Sequence, residues 1–89
     1  MAYNTPEIRL DTTEEKKVAI VEKLKEKFSK PGDYTLNLID GIRVSYKNGW
    51  ALARASNTQP VLVVRFEANS EVELQRIQND FMPTVNAML

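Results

Sequence analysis

Cysteine and histidine are both missing from this chain of 89 residues. Their absence removes disulfides, thiolate nucleophiles, imidazole bases and the usual zinc ligands together. No apolar run approaches the roughly 18 residues that span a bilayer, and the charged N-terminal stretch lacks the apolar core of a secretory signal, so a cytoplasmic location is expected. An excess of charge is also lacking: Lys plus Arg and Asp plus Glu stand at 12 each. Without clustered cations there is no global field to recruit nucleic acid.

What is present describes one small packed domain over residues 1–89. Apolar residues make up 43% and charged residues 27%, ordinary for a globular chain and too apolar for disorder. A domain this small buries only about 60% of the surface its unfolded chain exposes, so its margin of stability is thin. Met1-Ala2, directly ahead of Tyr3-Asn4-Thr5-Pro6, reads as an engineered start.

Local patterns alternate between two periods. Glu7-Ile8-Arg9-Leu10 alternates as a short half-buried edge strand does. Thr12 with Glu15 fits a capping box, and Val18, Val21, Leu24 and Phe28 recur at helical spacing, which predicts a helix over Thr13 to Ser29. Lys16, Lys23, Glu26 and Lys27 form its solvated face. Lys30-Pro31-Gly32-Asp33 ends it.

From Tyr34 onward the period is two. Leu36 and Leu38 share one strand face, Asp40-Gly41 turns the chain, and Ile42, Val44 and Tyr46 oppose Arg43, Ser45 and Lys47. Asn48-Gly49 predicts a hairpin turn with positive φ at both residues, followed by a strand over Trp50 to Arg54. Pro60 to Ala68 is the most β-branched run and suits a strand inside the sheet. Ser70 with Glu73 repeats the capping box before the stripe Leu74, Ile77 or Gln78, Phe81 and Val85, and Pro83 is expected to end or kink this second helix near Phe81. The order predicts an α+β fold, an antiparallel β-sheet with two helices packed on one face. Phe28, Tyr46, Trp50, Phe66 and Phe81 are assigned to its core.

One segment looks chemical. Arg54-Ala55-Ser56-Asn57-Thr58-Gln59-Pro60 gathers a guanidinium, two hydroxyls and amides in a connection between strands, with no acid among them. Consecutive N–H groups round such a connection bind anions, and the planar fork of Arg meets two phosphate oxygens at once. The same letters also serve as plain turn formers beside a solvent-facing Arg. Composition and spacing leave both readings open.

With those residues in view, the chain resembles the C-terminal domain of the α-D-phosphohexomutase superfamily. The likeness runs through Asp40-Gly41-Ile42-Arg43-Val44, Gly49-Trp50 and the stretch from Arg54 to Ala68, and takes in Thr5-Pro6-Glu7 and the acidic start of the last helix. Ser56-Asn57-Thr58 followed by Pro60-Val61-Leu62 and Arg65-Phe66-Glu67 is similar to the phosphomannomutase/phosphoglucomutase branch. Ala51 and Gln59 depart from residues common there, and neither removes a proposed donor.

The resemblance implies a fold similar to the TATA-box-binding protein, carrying no DNA function. It implies that Arg54, Ser56, Asn57 and Thr58 bind the phosphate of the sugar that is not being transferred, and that the domain swings to close the cleft. The partners it implies are glucose or mannose phosphates and the other domains of the same enzyme. That enzyme interconverts hexose 1-phosphate and hexose 6-phosphate with Mg2+ and a phosphoserine. The family's phosphoserine, metal and sugar-specificity loops are not found in these 89 residues, so no cofactor and no catalytic residue is assigned here and the domain alone is expected to be inactive. The rival expectation is a free-standing anion-binding or interaction module.

Overall fold

A computed structural model describes residues 3–89, so the engineered start expected at Met1-Ala2 lies outside the described residues. The elements run β1 (Tyr3–Asn4), β2 (Ile8–Asp11), α1 (Glu14–Lys27), β3 (Tyr34–Asn37), β4 (Ile42–Tyr46), β5 (Gly49–Ala55), β6 (Val61–Ala68) and α2 (Glu71–Met88). The strands form one antiparallel sheet in the order β1-β6-β5-β4-β3, with β2 also on β6. β1 and β2 occupy the same edge of β6: Tyr3 faces Ala68, and Ile8 to Asp11 face Val64 to Val61. Thr5 bridges the break between them, donating its N–H to Phe66 O at 3.0 Å and accepting the Phe66 N–H on its hydroxyl at 3.2 Å. The α+β architecture read from the sequence is the one observed.

The core lies between one sheet face and both helices. Ile20, Leu24, Ile42, Val44, Ala53, Leu62, Val64, Phe81 and Val85 are fully shielded from solvent. Burying a large apolar side chain contributes about 1.5–3 kcal/mol, and this shared cluster is what holds the two helices onto the strands. Phe81 links the layers, its ring 5.8 Å from that of Phe28 at the C-cap of α1 and 5.7 Å from that of Phe66 on β6.

Several expectations shift under tertiary packing. The first helix is capped by Thr13, whose hydroxyl accepts from the Lys16 N–H, rather than by Thr12. Its buried face is Lys17, Ile20, Val21 and Leu24, while Val18 is 53% exposed. Leu38 lies beyond β3 and is largely exposed, so it does not share the face of Leu36. Tyr46 and Trp50 are only half-buried; Trp50 lies on the sheet face away from the helices, with Arg43 stacked 4.6 Å from its ring and its indole N–H donated to Glu67 at 3.3 Å.

Two punctuation residues act differently from their sequence signal. Tyr46 pairs with Gly49, so the turn is Lys47-Asn48 and no residue in it has positive φ. Gly49 is instead a point of close approach: a Cβ there would stand 2.2 Å from Glu67 O and 2.8 Å from the Ile77 side chain. Pro83 lies inside α2, which continues to Met88. Phe81 and Val85 on either side of it are both fully buried, and that packing outweighs the hydrogen bond the proline removes.

Candidate functional site

The strand β5 extends through Ala55, which places Arg54 inside the strand and narrows the loop to residues 56–60. Ala51 and Ala53 are core residues, so strand alternation sends Arg54 to the face opposite the helices. There the register sets Val63 between Arg54 and Arg9. Val63 is 3% exposed although it lies outside the main core, as expected where long cationic stems flank an apolar side chain.

The loop is tied down through its carbonyls. Ser56 donates its N–H to Val61 O at 3.0 Å, Val61 donates to Gln59 O at 2.8 Å, and Thr12 donates to Pro60 O at 2.9 Å. Lys17 reaches up from the first helix and donates to Ser56 O at 2.5 Å and Gln59 O at 3.1 Å. Glu14 completes the shell of that ammonium at 2.6 Å. The Thr12 hydroxyl beside this junction is buried and has no partner among the described residues.

The outer side carries the polar atoms. Asn57 and Thr58 are exposed and Ser56 is half-buried, its hydroxyl accepting the Thr58 N–H at 3.4 Å. The Ser56 amide is committed to Val61, so the run of consecutive free N–H groups expected from the sequence is interrupted there. Arg9 donates to the Gln59 side-chain carbonyl at 2.6 Å, which brings a second guanidinium to the loop.

Arg54 has company that the sequence did not suggest. Its guanidinium lies 3.4 Å from the Asp40 carboxylate, both largely exposed. Gly41 makes this approach possible: it has φ of 81°, and a Cβ on it would meet Ala53 O at 2.3 Å and the Arg54 Cα at 3.0 Å. A recess of about 280 Å³ beside this pair is lined by Asn37, Ile39, Asp40, Arg43, Leu52 and Arg54. The two recesses beside Arg54 that lie against Asp40 include none of Ser56, Asn57 and Thr58, so neither of them joins the four residues, which we call the rim, in a shared pocket. Arg43 thus shares a recess with Arg54, while Arg65 faces Leu52 across β5.

A larger recess of about 780 Å³ lies at the opposite end of the strands, beside the turn Lys47-Asn48. Asp33, Glu73 and Asp80 outnumber Lys47 and Arg76 in its wall, a poor setting for a dianion. Among the described residues no group of three or more carboxylates stands close enough to hold a metal ion, and no helix is long and apolar enough to cross a membrane.

Residues 7–84 match the family described as phosphoglucomutase/phosphomannomutase, C-terminal domain. A phosphomannomutase/phosphoglucomutase of Pseudomonas putida is 54% identical over 78 residues, covering 88% of this chain and 17% of that protein. That of Pseudomonas aeruginosa PAO1 is 47% identical over 85 residues, 96% of this chain and 18% of the relative. A phosphoglucomutase of Neisseria gonorrhoeae is 38% identical over 87 residues, 97% and 19% respectively. The crystal structure of a phosphoglucomutase/phosphomannomutase family protein from Burkholderia thailandensis superposes with a TM-score of 0.79 at 42% identity, covering 99% of this chain and 18% of that one. The chain therefore spans less than a fifth of the length of each of these relatives.

Proposed function

This chain belongs to the phosphoglucomutase/phosphomannomutase family as its C-terminal domain, and on that premise we propose that Arg54, Ser56, Asn57 and Thr58 grip the phosphate of a hexose phosphate. The observation that carries the reading is the one-sided use of the loop. Its carbonyls at Ser56, Gln59 and Pro60 are all engaged by donors of the domain. Its residues Asn57 and Thr58 are exposed, the Arg9 guanidinium reaches it at Gln59, Arg54 stands just before it at the end of β5, and no acid lies within it. Charge-assisted hydrogen bonds from such donors are about twice as strong as neutral ones.

In the full-length enzyme the rim would bind the phosphate that does not react. Binding energy at that distant group positions the one that does. Recognition of phosphate rather than of one sugar face suits a substrate presented in two orientations, glucose or mannose phosphates alike. Closing the domain over the ligand would then exclude water. The Mg2+ implied for the whole enzyme finds no matching donor set among the described residues.

A rim on a single domain is expected to bind weakly, at about millimolar or −4 kcal/mol. Titrating the 89-residue chain with glucose 1-phosphate, amide shifts confined to Arg54 through Thr58 are the expected result. Shifts centred on Lys16, Lys23 and Lys27 instead would overturn the assignment.

A further inference from the structure

Lys17 sits under the rim with its side chain 7% exposed, on a helix face otherwise made of Ile20, Val21 and Leu24. An ammonium has three donors and no acceptor, and here each donor has a partner: Ser56 O, Gln59 O and the Glu14 carboxylate. A lysine buried only to neutralise Glu14 would not need to pass beneath the loop, since Glu14 is itself largely exposed.

We propose that Lys17 is a positioning residue that aims the Asn57 N–H at the bound phosphate; the inference rests on the phosphate reading of the rim. The argument follows from peptide geometry. No cis peptide bond occurs among the described residues, and in a trans peptide the C=O and the following N–H point in opposite directions. The Ser56 carbonyl is drawn inward to the Lys17 ammonium, so the Asn57 N–H of that same peptide unit points outward. Among the described residues that N–H donates to no other group. The second carbonyl held by Lys17 belongs to the peptide joining Gln59 to Pro60, which has no N–H to present. A buried cation, an aligned peptide dipole and an external anion then stand in sequence, each strengthening the next.

The test uses the 89-residue chain, 15N-labelled, titrated with inorganic phosphate and with glucose 1-phosphate. In the unmodified chain the Asn57 amide proton is expected to show the largest downfield shift of the loop. Lys17→Met is expected to abolish that shift and weaken binding at least tenfold. Glu14→Gln keeps both carbonyl bonds and is expected to bind within twofold of the unmodified chain. If Lys17→Met fails to fold, the Asn57 signal and the Glu14→Gln affinity decide. Loop shifts that leave the Asn57 amide still, or a Lys17→Met chain that binds equally well, would overturn the role of Lys17 and leave the rim standing. An absence of any loop response in the unmodified chain would remove the rim itself, and this inference with it.

Discussion

The carboxylate of Asp40 stands 3.4 Å from the guanidinium of Arg54, so the cation proposed to bind phosphate is engaged before any ligand arrives. Both groups are largely exposed, and such a pair is worth about 0–1 kcal/mol. Asp40→Asn removes the competing charge and keeps a hydrogen-bonding group. It is expected to tighten phosphate binding by about two- to fivefold, read by amide-shift titration.

Arg54→Ala in the full-length enzyme is expected to lower kcat/KM by about 1.5–3 kcal/mol, the range for hydrogen bonds to charged groups. Steady-state kinetics with glucose 1-phosphate check this. An unchanged value would take Arg54 out of the mechanism.

Gly49→Ala places a methyl group 2.2 Å from Glu67 O, at a contact formed by backbone and therefore unable to swing aside. The expected loss is about 1–3 kcal/mol, seen as a lower urea midpoint. Gly41→Ala meets both a close contact and a positive φ and is expected to cost at least as much.

Pro83→Ala restores a backbone donor within a helix that already runs through this position. Allowing for the freedom the unfolded chain regains, a gain of about 1–2 kcal/mol is expected. Thermal unfolding measures it, and a loss of stability would show that the proline shapes the helix.

The hydroxyl of Tyr46 donates to Asp80 at 2.8 Å, and burial, followed by that hydrogen bond, raises its pKa well above the ordinary tyrosine range. A raised folded pKa contributes stability that is complete below about pH 10 and is lost as pH climbs from there toward the folded value. Tyr46→Phe is therefore expected to flatten the alkaline limb of a stability–pH curve. The change in slope should fall below ~1.4 kcal/mol per pH unit, because the residue is only half-buried.

Strand and helix positions were legible because alternation and the 3.6-residue stripe are local signals: Ile42 and Val44, or Ile77, Phe81 and Val85, announce their buried faces without reference to distant chain. The polar character of residues 54–60 was equally plain. What stayed hidden depends on the residue standing opposite. Gly49 spells a turn until Glu67 and Ile77 are seen against it. Lys17 is one letter in a charged run until the β5–β6 loop lies above its ammonium. Arg9 and Asp40 belong to distant segments, and only strand pairing and the turn at Gly41 bring them to the rim. The free N–H run was overestimated for the same reason: nothing in the order of letters says that Val61 O claims the Ser56 amide.

The pairing of β2 with β6 joins an early strand of the sheet to one from the last third of the chain. On a ribosome, the local hairpins β3-β4-β5 can assemble while Ile8 to Asp11 still wait for a neighbour, and long-range closures of this kind are the slow ones. Thr12 and Lys17 meet residues 56–60 across the same wide separation in sequence, so the hold on the loop's carbonyls belongs with the long-range closures and not with the local hairpins.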